Sequence, residues 1–297
     1  MQQTELNLDV ALGVTLPARH ARGRVARLGS AIDAILARHD YPAPIERLLA
    51  EALALTALLG ALLKDAGGQL TLQTQTSGGI IDLLVCDYLA GELRGYVRHD
   101  AALLADAARD PSLKSLFGEG YLAITFDQPA TEERYQGIVP LEGNSLAEAA
   151  QSYFTQSEQI PSIVRLAAAK HGEGWVAGGI LFQHLPEGEE GRDRLHTRLD
   201  HPEWAHVATL VGSVREAELT DPALALDDLV WRLFHEEDEI RTLPAVALSR
   251  GCRCDPDYVK SVIARFGEAE RAEMQDDSGV IRVDCEFCAT SFPLHFD

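Results

Sequence analysis

The sequence predicts an α+β fold, with mostly antiparallel sheets and packed helices, then a helical linker and a small C-terminal domain. Three observations carry this prediction. A long apolar helical stretch is followed by short runs of alternating or β-branched residues punctuated by glycine. A polar, highly charged segment, LPEGEEGRDRLHTRLDHPE, then separates those runs from two amphipathic helices. Four of the five cysteines fall in the last 46 positions, as a CxC and a CxxC. The expected divisions are a body over residues 1–188, a charged helical linker over 189–249 and a four-cysteine tail over 250–297.

After an unassigned start, RVARLGSAIDAILARHD and YPAPIERLLAEALALTALLGALLK read as two helices joined at Tyr41 to Pro44, with Pro44 suited to a first helical turn. From Gln69 the period shortens, and QLTLQTQT, IIDLLVCDYL and ELRGYVRHD read as strands. YLAITFD, RYQGIVPLEG, SIVRLAAAK and WVAGGILFQHL continue the β character, the last two joined across HGEG as a hairpin. Among them lies one helix in NSLAEAAQSYFTQSEQIP, where Ser145 and Glu148 fit a capping box and Pro161 follows the helix end. Beyond the charged segment, Trp204, Val207, Val211 and Val214 share one helical face. Leu226, Leu229, Val230, Leu233 and Phe234 mark a second amphipathic helix ending in HEEDE, read as a solvated end.

Apolar residues make up 46% of the 297, enough for a substantial core, and the formal charge is −20. Such a field repels phosphate backbones and anionic lipid, so neither nucleic acid nor a membrane surface is an expected partner. Glu5 and Asp9 stand where an export signal needs a basic segment, and the longest uncharged run of the apolar helix, Ala52 to Leu63, is only 12 residues. The expected location is the cytoplasm. Paired cysteines in that reducing compartment point to metal ligands or redox groups rather than structural disulfides.

One residue separates Cys252 from Cys254, two separate Cys285 from Cys288, and 30 lie between the pairs. Four thiolates complete a tetrahedral zinc shell, so the tail is expected to be a small zinc-binding domain with one Zn2+. Asp255 and Pro256 open a helix, and GVIRVDCEFCATSFPL reads as a hairpin whose turn is the second cysteine pair. One helix and one hairpin bury too little apolar surface to fold alone, so metal should supply much of the tail's stability. A closed four-cysteine site can be a plain staple. CxC differs, because ligands one residue apart strain the surrounding loop and can close a small disulfide ring when oxidised. Arg253 and the metal would favour thiolate character, the form oxidants attack.

Other chemistries fit less well. A thioredoxin-like CxxC should precede a helix, whereas ATSFPLHF is extended. The zinc deaminase pattern and the phosphate-binding GxxxxGK[ST] loop are both missing. Cys86, within IIDLLVCDY, reads as a buried strand residue, and His295 as a surplus fifth ligand.

CxC, thirty residues, then CxxC resembles the heat-shock protein 33 family of redox-regulated chaperones. HDYPAPIERLLAEALALTALL, RYQGIVPLEGNSLAEAAQSYFTQSEQIP, AGGILFQHLP and LVWRLFHEE are similar to family signatures in the same order, whereas IRTLPAVALSRG before Cys252 departs from the pattern. The resemblance implies an ATP-independent holdase, not an enzyme. It implies that Cys252, Cys254, Cys285 and Cys288 bind zinc in an inactive reduced form. It further implies that oxidation joins Cys252 to Cys254 and Cys285 to Cys288, releases zinc and loosens tail and linker, so that unfolded or partly unfolded client proteins are held. Homodimerisation accompanies activation in the family. The rival readings are a structural zinc-tailed interaction protein and a thiol-disulfide oxidoreductase.

Overall fold

The computed structural model describes residues 8–63, 67–107, 111–129, 132–185 and 201–296. A hairpin, β1 (Val10–Leu16) and β2 (Ala21–Leu28), leads into α1 (Ser30–Leu36) and α2 (Ala43–Gly60). Three strands follow, β3 (Gln69–Ser77), β4 (Ile81–Leu89) and β5 (Glu92–His99). Two short helices, α3 (Ala101–Ala105) and α4 (Leu113–Phe117), precede the hairpin of β6 (Glu119–Gln128) and β7 (Glu133–Pro140). α5 (Leu146–Tyr153) and the hairpin of β8 (Ser162–His171) and β9 (Gly174–His184) follow.

Then come α6 (Pro202–Gly212), α7 (Glu216–Leu219) and α8 (Leu226–Phe234). Three two-residue strands, β10 (Arg241–Thr242), β11 (Val246–Ala247) and β12 (Ser249–Arg250), precede α9 (Pro256–Ile263) and α10 (Glu268–Glu273). β13 (Ile281–Asp284) and β14 (Ser291–Leu294) form the last hairpin. The charged sequence at 186–200 lies outside the described residues.

One sheet has the order β10-β1-β2-β9-β8, with β11 also on β1, and the other β12-β5-β4-β3-β6-β7. All these pairings are antiparallel except β12 on β5. α2 packs against β2, β8 and β9 of the first sheet and β3, β4 and β5 of the second. An apolar stretch without a polar face suits that central position, and its residues from Leu48 to Gly60 are buried except Glu51.

The opposite face of the first sheet is also apolar. Leu12, Val14, Leu16, Val25, Ile180 and Phe182 form a separate cluster with Trp204, Val207, Val211, Leu229, Val230 and Phe234 of α6 and α8. The one-sided linker helices thus find their partner surface on the body. A Cβ at Gly178 would collide with the Leu219 carbonyl, so this strand position must be glycine for α7 to approach.

RVARLGSAIDAILARHD is not one helix. Arg24 to Leu28 belong to β2, and the helix starts only at Ser30. Ala21, Val25, Leu28, Ile32 and Ile35 happen to keep helical spacing, and Arg27, charged in the sequence, is fully buried on the sheet. It donates to the carbonyls of Glu218, Leu219 and Leu224 around α7. At α5 the Ser145 hydroxyl accepts from Glu148 N, but Glu148 reaches back to Asn144 N at 2.9 Å, so the capping box closes one residue early.

HEEDE is not wholly solvated either. The Glu237 side chain is 4% exposed, bonded to Arg19 Nε at 2.7 Å and His206 Nε2 at 2.8 Å. Burial raises its pKa, but those two hydrogen bonds outweigh burial and hold it below the ordinary carboxylate value.

Candidate metal centre

The two cysteine pairs are positioned by different means. Upstream, β12 runs alongside β5, with Ser249 N donating to Gly91 O at 3.0 Å and Gly251 N to Leu93 O at 2.9 Å, which delivers Cys252 to the edge of the body. A Cβ at Gly251 would stand 2.7 Å from the Glu92 Cβ, which cannot swing away, so this close approach favours glycine. Downstream, the Asp255 side chain caps α9 at Tyr258 N, fixing the exit from the CxC. Cys285 and Cys288 sit in the turn of the last hairpin. There Cys288 N and Ala289 N donate to Cys285 O at 3.2 and 2.7 Å, and Ala289 takes a left-handed φ of 50°.

The ligand atoms of Cys252, Cys254, Cys285 and Cys288 all lie within 4.8 Å of one another. Three separations are 3.6 Å (Cys252 to Cys254), 3.7 Å (Cys252 to Cys285) and 3.9 Å (Cys254 to Cys288). A tetrahedron with zinc–sulfur bonds of 2.3 Å has edges of about 3.8 Å, so the four sulfurs fit a closed metal shell. Cys288 is buried, Cys252 and Cys285 are half-buried and Cys254 is exposed. Burial raises the thiol pKa of Cys252, Cys254 and Cys285. Burial also acts upward on Cys288, but hydrogen bonding with Thr290, Cys252 and Cys285 outweighs it and brings the thiol down to about 6.

Arg253 does not serve these thiols. Its Nη2 lies 3.2 Å from Asp87 Oδ2, which Arg94 Nη2 also approaches at 2.6 Å. Thr71 donates to the other Asp87 oxygen at 2.7 Å. The expectation that Arg253 promotes thiolate character is therefore corrected, because a buried carboxylate 166 residues away in sequence claims its charge.

Phe287, inside the CxxC, is engaged in the same place. The Arg94 guanidinium carbon lies 4.0 Å from its ring centroid, Tyr96 meets it edge-on at 4.9 Å, and His39 Nε2 is 3.4 Å from its carbonyl oxygen. Asp87, Arg94, Tyr96 and Phe287 were not legible as site residues, since no local pattern marks a surface that packs on a distant segment.

Cys86 is fully buried, and desolvation drives its thiol pKa strongly upward, in keeping with a packed strand residue. His295 is exposed and stands outside the cysteine group.

A two-sheet α+β body with its own helical cover and a four-thiol tail is the class that this fold and site define. The family model described as Hsp33 protein matches residues 9–295. The 33 kDa chaperonin of Caulobacter vibrioides is 41% identical over 293 residues, covering 96% of this chain and 94% of the relative. That of Pectobacterium atrosepticum is 34% identical over 271 residues, covering 91% and 88%. The crystal structure of the 33 kDa chaperonin from Thermotoga maritima superposes with a TM-score of 0.77 at 21% identity, covering 97% of this chain and 95% of that one, a likeness of fold. The chain belongs to the Hsp33 family. Among the described residues no helix is long and apolar enough to cross a membrane.

Proposed function

We propose that this chain is a redox-regulated, ATP-independent holdase. In the reduced, inactive form Cys252, Cys254, Cys285 and Cys288 hold one Zn2+ as thiolates; the metal supplies cross-links that the tail's apolar contacts cannot. A peroxide oxidises each pair. Two thiolates give up two electrons and form the Cys252–Cys254 bond, and two more form Cys285–Cys288. In each step the O–O bond of the peroxide breaks, and its oxygens take up two protons and leave as water or alcohol. Disulfide sulfurs no longer ligate the metal.

The consequence follows from how little the tail buries. Among its described residues from 251 onward only Val280, Ile281, Cys288 and Leu294 are buried. Losing roughly 10–16 kcal/mol of apparent metal-binding free energy exceeds the stability of most domains, so the tail unfolds. α6 to α8 then loosen and uncover the apolar sheet face at Leu12, Val14, Leu16, Ile180 and Phe182, onto which unfolding clients bind. Functionally, residues 1–188 are the body, 189–249 the releasable cover and 250–297 the switch. The active form is a cytoplasmic homodimer.

The observation that carries this reading is the cluster of four sulfurs, spaced for one metal, in a chain whose relatives are chaperonins by name. The test compares reduced and peroxide-treated protein, without ATP, for suppression of aggregation of a thermally unfolding protein. Only the oxidised sample should protect. Equal protection by both, or strict dependence on ATP, contradicts the proposal. Because Cys252 lies as near to Cys285 as to Cys254, peptide mapping must find the within-pair disulfides.

A further inference from the structure

Each cysteine pair carries one residue between its ligands that reaches out of the tail, and both reach the same ion pair of the body, Asp87 with Arg94. Arg253 stands between Cys252 and Cys254 and bonds to Asp87, which is shared with Arg94. Phe287 stands between Cys285 and Cys288, its ring against the guanidinium of that same Arg94 and the edge of Tyr96. Asp87 and Arg94 project from β4 and β5 on the face opposite Cys86, Tyr88 and Leu93, which belong to the body's core. We propose that Asp87 and Arg94 are positioning residues of the metal centre, so that the body itself sets how tightly the tail holds its metal.

The physical argument is preorganisation. Binding one metal ion through two ligands that flank a single residue requires the backbone at that residue to be held, and the cost falls on metal affinity if it is not. Here the hold on Arg253 is a buried charge contact. The Asp87 side chain is 4% exposed and satisfies two guanidiniums and a hydroxyl at once. Neutralising it leaves Arg94 and Arg253 as two cations facing each other with no anion between them, and Arg253 must withdraw toward solvent. The CxC backbone goes with it. Phe287 does the equivalent for the CxxC by packing, and Arg94 joins the two halves of the ligand set.

By linkage the coupling is reciprocal: whatever the contact adds to metal binding, metal binding adds to the docking of the tail on the body. Loss of the metal therefore releases Arg253 and Phe287 from β4 and β5 as well as unfolding the tail.

This inference rests on the zinc reading of the four cysteines, and the experiment separates the two. Zinc affinity of the reduced full-length chain is measured by competition with a chromogenic chelator for the parent, Asp87→Asn, Arg253→Gln, the double variant, and Asp82→Asn as a control. Asp82 pairs with Arg98 on the same two strands but is exposed, and it bonds to neither Arg253 nor Arg94. Each single variant should bind zinc roughly 10- to 100-fold more weakly, the range seen when an outer partner of a metal ligand is lost, with Asp82→Asn within about twofold of the parent. The double variant should be no weaker than the weaker single, because both remove one contact.

Failure of the parent itself to bind zinc overturns the metal reading. A zinc-binding parent with Asp87→Asn and Arg253→Gln unchanged, or a double variant whose loss is the product of the two, overturns the positioning role. Hydrogen exchange in β3 reports whether Asp87→Asn keeps the body folded. If it does not, Arg253→Gln decides alone, since it alters only the tail.

Discussion

Between its two sheets the body packs a helix whose residues from Leu48 to Gly60 are buried except Glu51, whereas neither α9 nor α10 of the tail buries a single side chain. The apolar stretch, whose uncharged run is too short to span a membrane, is the centre of the body. The tail's helices are short, Tyr258 on α9 is exposed, as are Phe266 and Met274 just beyond the ends of α9 and α10, and the tail gathers at a cluster of thiols. The lesson is that burial is partitioned: one region is held by a continuous apolar core, whereas the other buries little beyond the residues around four clustered sulfurs. Between them α6 to α8 have a core, but all of it is borrowed from the first sheet.

The largest expected effect comes from breaking the tail alone. Replacing Cys285 and Cys288 by Ser leaves two thiolates, and the tail should lose most of the roughly 10–16 kcal/mol that a structural metal provides. Near-neutral circular dichroism and limited proteolysis should show cleavage from about residue 250 onward with the body intact. A tail that stays protease-resistant without metal would mean that its apolar contacts suffice after all.

A smaller effect is expected at Arg27, the cation by which the body grips the linker. Arg27→Met removes donors to three carbonyls around α7 and should weaken linker docking by about 2–4 kcal/mol, the scale of several buried acceptors left unpaired. Exchange of amides in α6 to α8 should accelerate in the reduced protein, while β8 and β9 change little. Uniform acceleration across body and linker would show that Arg27 supports the sheet rather than the division between regions.

The smallest change is at Glu237. Glu237→Gln keeps the shape but removes the charge that Arg19 and His206 share, for a loss of about 1–2 kcal/mol of linker docking. The sign of the pH effect follows from the lowered carboxyl pKa. The group's contribution is fully present above the ordinary glutamate value near 4.3 and is lost as the pH falls through the lower folded value. Wild-type linker protection should therefore fall more steeply than that of Glu237→Gln below about pH 4.3. Parallel profiles would remove Glu237 from the account.

How much of this was legible depended on whether the deciding contact was local. α2, the strand runs from Gln69, the 162–184 hairpin and the one-sided faces of α6 and α8 announce themselves by period. The cysteine spacing announced the cluster of four sulfurs, because few residue types at that spacing can come together to suit one metal. β2 was hidden because its apolar residues keep helical spacing and its buried Arg27 looks like a surface residue until α7 is seen against it. β10 to β12 are two residues each and exist only by pairing with β1 and β5. Glu237 and Arg253 were both misread for one reason: their partners, Arg19 and Asp87, lie 218 and 166 residues away.

The central claim is that oxidation acts by unfolding the tail and releasing the linker while the body keeps its fold. Hydrogen exchange on reduced, zinc-loaded protein and on peroxide-oxidised protein tests it most directly. Amides of α6 to α8, and those from Cys252 to Phe296, should lose protection on oxidation, while those of β3 and β9 keep it. If holdase activity appears with the linker amides still protected, the client surface lies elsewhere and the mechanism is wrong.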